Sequence, residues 1–264
     1  MPEPASDADL HTTAYGEGGR LVVFCHGLFG QGRNFTQVAK ALAPEHRTLL
    51  ADMPDHGRSG WSEQFDYLAA ADRVAALLRE GDPAALVGHS MGGKIAMLVA
   101  LRHPERVERL AVVDVAPVPY QHTDEFRGYI EALQGLDLSS LDRRSDADAA
   151  LQEAVPSNAV RAFLLQNLRQ EHGRWSWQLN LDLLGRDLED IGAWPEDRLD
   201  GLAPYEGPVL WVAGADSDYV REEYSEPMGR WFPRHRRVTV KSAGHWVHSE
   251  QPEVFVEVLR RFLD

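Results

Sequence analysis

A single cysteine, Cys25, in a chain of 264 residues leaves no partner for an intramolecular disulfide and no zinc-spaced cluster of ligands. Within LVVFC it reads as a small packed hydrophobe. No apolar run approaches the roughly 18 residues that a membrane helix needs, so no span is expected. The opening MPEPASDADL carries neither a basic segment nor a long apolar one, unlike a secretory signal, and a cytoplasmic protein is the expectation. Positive charge is scarce as well: 27 Lys and Arg face 41 Asp and Glu, a formal net charge of −14. With no concentrated basic face to offset repulsion from phosphates, nucleic acid is not an expected partner. Internal repeats and low-complexity tracts are also missing.

What is present is an alternation. LVVFC, RTLLA at 47–51, AALV at 84–87 and RLAVVD at 109–114 are apolar runs of strand length. Helix-like stretches at 69–79 and 94–101 separate them, the first with Val74, Leu77 and Leu78 on one side. Buried strands alternating with helices predict an α/β fold, a mostly parallel central sheet flanked by helices. From Pro117 to Tyr205 the rhythm turns helical, as in NAVRAFLLQNLR, and no strand is expected there. The chain therefore divides into a core, 1–116, an inserted helical cap, 117–205, and a second core part, 206–264. Residues 1–10 read as a loose terminus. Strand signals resume in VLWVAG and RRVTVK, and a closing helix begins at Pro252 with Phe255, Leu259 and Phe262 at helical spacing.

The chemistry concentrates at strand ends. Gly88, His89, Ser90, Met91 and Gly92 spell G-x-S-x-G between a predicted strand and a predicted helix, where a sharp turn exposes the Ser90 hydroxyl and small flanks permit close approach. The start of that helix leaves the Met91 N–H free to face a developing oxyanion. HGLFG, 26–30, follows the first strand and offers Leu28 N–H as a second donor, with Phe29 placed to line a substrate pocket.

A serine hydroxyl needs a positioned base. Of 11 histidines, His245 in AGHWVH follows the last strand and is the candidate, with Gly244 giving its loop room to bend. His248 reads as support for the terminal helix, and His26 and His89 as residues that line the site or hold its loops. An acid must fix the imidazole tautomer. Asp114, closing RLAVVD, and Asp216 and Asp218, following VLWVAG, all reach the same sheet edge, and periodicity does not choose among them. Asp52 reads as the anchor of the DHGRSG loop. In the cap, Leu164, Leu165, Trp175, Trp177, Leu183 and Leu184 serve either an acyl pocket or the cap's own core. The acidic residues of 137–153 read as a solvated face.

HGLFG, DMPDHGRSG, GHSMGG, DVAP and GHWVH, in this order, resemble the α/β-hydrolase superfamily over nearly the whole chain. HGRS, VVDVAPVPY and AGHWVHSEQP look most like the YbfF-type bacterial esterases and their mitochondrial abhydrolase relatives. In the superfamily the acid commonly stands in G-x-x-D-x-x-V, but Gly214 and Val220 here frame Ser217. The YbfF-like group shares that departure and takes its acid from D-[IV]-A-P, which corresponds to Asp114; Asp216 stands where those relatives tend to carry asparagine and is the alternative.

The resemblance implies a serine hydrolase of small-molecule acyl esters or thioesters, using Ser90, His245 and Asp114 and no cofactor, as a monomer or homodimer. A serine-dependent carbon–carbon hydrolase or a menaquinone-pathway-type synthase has the same triad geometry, and would need a polar pocket for a carboxylated substrate, which Arg127 or Arg161 in the cap could supply. A non-catalytic hydrolase-like binding protein is the remaining alternative. Serine at position 90 opposes dehalogenation and epoxide hydrolysis, which use a carboxylate there.

Overall fold

The computed structural model describes residues 10–121 and 123–264. Most of the segment expected to be a loose terminus, 1–9, lies outside the described residues. The frame is a seven-stranded sheet in which β1 (Thr12–Tyr15), β2 (Leu21–Cys25), β3 (Arg47–Ala51), β4 (Ala84–His89), β5 (Val107–Val113), β8 (Val209–Gly214) and β9 (His235–Val240) take the order β1-β3-β2-β4-β5-β8-β9. All neighbours pair in parallel except β1, which runs antiparallel to β3 at the sheet edge. β1 was not expected, because TTAY is short, half polar and without an apolar face.

β4 and β8 are buried at every residue, as strands covered on both faces must be. One face is packed by α1 (Thr36–Leu42) and α11 (Pro252–Leu263), which bury Leu42, Phe255 and Leu259 against Val22, Val87 and Val212. The other carries α2 (Tyr67–Ala75) and α3 (Met91–Arg102), whose Ile95, Leu98 and Val99 are wholly buried. The helix expected at 69–79 thus starts and stops earlier: Asp66 accepts from the Leu68 and Ala69 amides as its cap, and the helix gives way after Ala75.

After β5 the chain leaves the sheet and rejoins it at β8. Between them come α4 (Asp124–Gln134), α5 (Arg144–Leu151), α6 (Asn158–Leu165), a hairpin of β6 (Leu168–Glu171) and β7 (Arg174–Trp177), α7 (Leu181–Arg186) and α8 (Leu188–Gly192). The hairpin corrects the expectation of a strandless insertion. LRQE shows no apolar alternation, but His172 and Gly173 both take positive φ, 50° and 77°, the geometry of a two-residue hairpin turn whose twist matches that of its strands.

The insertion is stitched to the core. Gly57 N–H donates to Gln178 O at 2.8 Å and Asn180 N–H to Asp55 O at 3.0 Å, flanking a His56–Leu179 bridge. The remaining α-helices among the described residues are α9 (Ser225–Trp231) and the single turn α10 (Val247–Glu250). Among the described residues, no helix is long and apolar enough to cross a membrane.

Candidate active site

Ser90 alone links β4 to α3, at φ 53° and ψ −122°, a strained conformation for a residue with a side chain. Its N–H donates to Val113 O at 3.1 Å, and its carbonyl accepts from Gly93 N–H at 2.8 Å and Lys94 N–H at 3.1 Å. The flanking glycines explain how so sharp a reversal fits. A Cβ on Gly88 would lie 2.3 Å from Gly92 O, and one on Gly92 would lie 2.4 Å from the carbonyls of both Cys25 and His26. Strand, helix and the loop after β2 meet backbone to backbone, and any side chain would push them apart.

His245 follows β9, and its Nδ1–H donates to Asp114 Oδ2 at 2.8 Å. Asp114, just beyond β5, is fully buried at φ 50°. Two more donors offset the desolvation of its carboxylate: Gly214 N–H reaches Oδ1 at 3.0 Å, and Ser217 Oγ–H bonds Oδ2. Asp216 and Asp218 are exposed, and Asp218 pairs with Arg221. Tyr219 stacks on the His245 ring, with centroids 4.1 Å apart and planes at 25°. His89 Nε2–H donates to His245 O at 2.8 Å, so one histidine holds the loop of the other.

Burial, reinforced by neighbouring His245 and His248, keeps the His89 imidazole neutral far below its ordinary range. His248 is likewise lowered by burial to about 3; its ring packs on Phe35 at 4.5 Å. Gly244 has no unusual φ and would admit a Cβ at ordinary contact distance, so the loop does not depend on a glycine there; the positive φ falls on Ser242, 54°.

The HGLFG loop is held by polar groups on all sides. His26 donates from Nδ1 to Gly27 O and accepts at Nε2 from Met53 N–H, both at 2.8 Å; burial and the adjacent His56 lower it to about 3. Phe29 takes φ 61°, donates its N–H to His56 Nε2 at 3.2 Å, and accepts at its carbonyl from Asn167 Nδ2 at 2.8 Å. Asp52 accepts from Gly32 N–H at 2.8 Å and Arg58 N–H at 3.0 Å, which ties this loop to DHGRSG. His56 and Asn167 were not singled out from the sequence; isolated polar residues in loops give no signal until their acceptors are known.

Ser90 borders two small cavities. One, about 50 Å³, is lined by Leu28, Met91, Lys94, Val115, Tyr120 and Ile191 among others. The other, about 20 Å³, is lined by Leu28, Phe29, Phe126, Phe163, His245 and Trp246 among others. Of the six cap residues weighed from sequence, Leu164 alone lines either cavity. Leu165, Leu183 and Leu184 are buried in the packing core, and Trp175 packs against it with Nε1–H bonded to Leu141 O at 2.9 Å. Trp177 is half-buried on the hairpin.

Neither candidate arginine enters the site. Arg161, buried, spends its guanidinium inside the cap on Asp148, Asn158 and the carbonyls of Val155 and Pro156. Arg127 pairs with Glu189 at 3.7 Å. The cation that does line a cavity with Ser90 is Lys94, one helical turn along α3.

The alpha/beta hydrolase fold family model matches residues 20–252. The sn-1-specific diacylglycerol lipase ABHD11 of Mus musculus is 40% identical, over 92% of this chain and 80% of its own. The esterase YbfF of Escherichia coli is 30% identical over 92% of each chain. Among solved structures, a marine microorganism esterase superposes with a TM-score of 0.91 at 29% identity, covering 97% of this chain and 99% of that one. With a sheet that is parallel except at one edge, a strand–serine–helix turn and these relatives, the chain belongs to the α/β-hydrolase superfamily, related to the ABHD11- and YbfF-like esterases.

Proposed function

We propose that this protein is a serine hydrolase of carboxylic esters or thioesters, with Ser90 as nucleophile, His245 as base and Asp114 as the acid that orients it. The observation that carries the reading is the convergence on one cavity of a serine in a strained turn and an imidazole whose far nitrogen is bonded to a buried carboxylate at 2.8 Å. That bond keeps the proton on Nδ1 and leaves Nε2 as the acceptor for the Ser90 proton.

In this mechanism the Ser90 oxygen attacks the carbonyl carbon as His245 takes its proton. The carbonyl oxygen becomes an oxyanion, received by the N–H groups of Met91 and Leu28. The imidazolium, stabilised by Asp114, returns the proton to the departing alcohol or thiol and leaves an acyl-serine. Water, deprotonated by His245, attacks that ester; the carboxylic acid leaves and Ser90 recovers its proton. Relatives described as a diacylglycerol lipase and an esterase favour an acyl ester, and a glycerolipid ester belongs in the substrate panel.

The carbon–carbon hydrolase alternative loses both of its candidate cap arginines, since Arg161 is committed within the cap and Arg127 pairs with Glu189. The test is a panel of aryl, glyceryl and thioesters run with wild type and Ser90→Ala. Turnover lost in the variant, with an unchanged circular dichroism spectrum, is expected; a variant that keeps the wild-type rate would overturn the assignment.

A further inference from the structure

No concentrated basic face is visible along the chain, yet folding assembles one from segments far apart in order. A groove of about 690 Å³ is lined by Arg109 of β5, by Arg234, His235 and Arg236 at the start of β9, and by Arg261 at the end of α11, with Glu108 the one carboxylate among its described lining residues. Glu108 is already engaged: both of its oxygens accept from Arg20, at 2.6 and 2.7 Å. The carbonyls that end α11 are covered as well, Leu263 O by Arg20 and Phe262 O by Arg109 Nη1–H at 2.9 Å. Arg261 pairs with Glu257 at 2.8 Å, but Arg109, Arg234 and Arg236 meet no carboxylate among the described residues. Arg234 donates to Glu206 O at 3.0 Å, Arg109 keeps a buried Nε–H without an acceptor, and Arg236 is exposed with neither a hydrogen bond nor an ion pair among the described residues. Three guanidiniums thus stand uncompensated in one concavity of a chain whose net charge is −14.

Sheet register places them together. Leu110, Val209 and His235 are aligned across β5, β8 and β9, so Arg109 and Arg234, one residue back, share a face, and Arg236, two residues on from Arg234, shares it too. β8 lies between, which sets the two arginine-bearing strands about 10 Å apart. This rim is also remote from the chemistry. The three strands are parallel, Asp114 and His245 follow their opposite ends, and the six residues of β9 span about 20 Å.

We propose that this groove binds a small soluble polyphosphate, two or more linked phosphate groups free or carried on an organic molecule, at a site separate from the catalytic cavities. Guanidinium forks match phosphate oxygens in pairs, and arginines on both sides of β8 suit an anion whose charge is spread over several phosphates rather than held on one. Phe262, half-buried with the Arg109 guanidinium 5.8 Å from its ring centre, gives the groove an apolar wall. An extended anionic surface, a bilayer or a nucleic acid, would also have to face the acidic remainder of the chain, so the groove selects an anion small enough to enter it.

The test is isothermal titration calorimetry with sodium tripolyphosphate and with sodium sulfate, at matched ionic strength, on wild type, Arg236→Gln, Arg234→Gln/Arg236→Gln and Arg174→Gln. Arg174, exposed on the cap hairpin and outside the groove, controls for loss of charge alone, and Arg236 has no internal bond to lose, so its variant reports on binding even if the double variant fails to fold. One tripolyphosphate should bind per chain, more tightly than sulfate. Its affinity should fall in Arg236→Gln, fall by at least about tenfold in the double variant, and stay at the wild-type value in Arg174→Gln. Absence of saturable binding, equal affinity for sulfate, unchanged affinity in Arg236→Gln, or an equal loss in Arg174→Gln would each overturn the proposal. So would wild type that binds phosphatidylglycerol vesicles but not tripolyphosphate.

Discussion

Acidification should unfold this protein through histidines far more than through its many surface carboxylates, and His248→Phe isolates one contribution. His248 is buried between Phe35, His89 and Phe255, and its Nδ1 has no hydrogen-bond partner. Folding lowers its pKa from 6.5 to about 3. Between those values the unfolded chain binds a proton that the native state refuses, so stability is highest above pH 6.5 and falls as the pH drops toward 3. Linkage gives a loss of about 2 kcal/mol for this one group between pH 7 and pH 5. His26, lowered likewise to about 3, adds about the same, and the two together take about 4 kcal/mol from a total of about 5–15 kcal/mol. Phenylalanine keeps the ring and cannot be protonated. Urea unfolding at pH 7 and pH 5 should show the variant losing about 2 kcal/mol less than wild type over that interval. Equal losses in the two proteins would refute the reasoning, because they would mean that His248 is as free to protonate in the native state as in the unfolded one.

Asp114→Asn should lower kcat by about 10²-fold or more while Asp216→Asn stays near wild type, since only the former faces His245; steady-state rates on one ester check both, and the reverse order would reassign the acid. Gly92→Ala drives a methyl group into the carbonyls of Cys25 and His26, 2.4 Å from its Cβ, and should cost about 1–3 kcal/mol in urea unfolding together with most of the activity. Arg161→Ala strips the cap of a buried guanidinium that makes four hydrogen bonds and leaves Asp148, Asn158 Oδ1 and two carbonyls unmatched; a loss of about 3 kcal/mol, read by thermal or urea unfolding, is expected.

The sheet and the sharp turn at Ser90 were legible in the sequence because each rests on local constraints. A buried parallel strand is a continuous apolar run, and a backbone-to-backbone crossing admits only glycine, so LVVFC, VLWVAG and GHSMGG carry their structure within a few residues. Which aspartate meets His245 was not decided by such patterns. β5 and β8 are neighbours, so Asp114 and Asp216 leave the sheet at the same edge, and the choice turns on Gly214 N–H and Ser217 Oγ–H bonding Asp114 from across the strand gap. Ser217 occupies the position where the superfamily's acid was sought. Lys94 gave no signal either: a lysine inside a helix reads as solvated until the cap that covers it is in place. The hairpin β6–β7 went unseen because its strands are polar and its turn, His-Gly, is less distinctive than Asn-Gly.

The seam between insertion and core has a mechanical consequence. Phe29 O is gripped by Asn167, and Phe29 is the immediate neighbour of Leu28, whose amide is the proposed second oxyanion donor. Any displacement of Asn167 would therefore be passed to the Phe29 peptide and to the proposed donor beside it, so the insertion and the core loop are mechanically joined at this point.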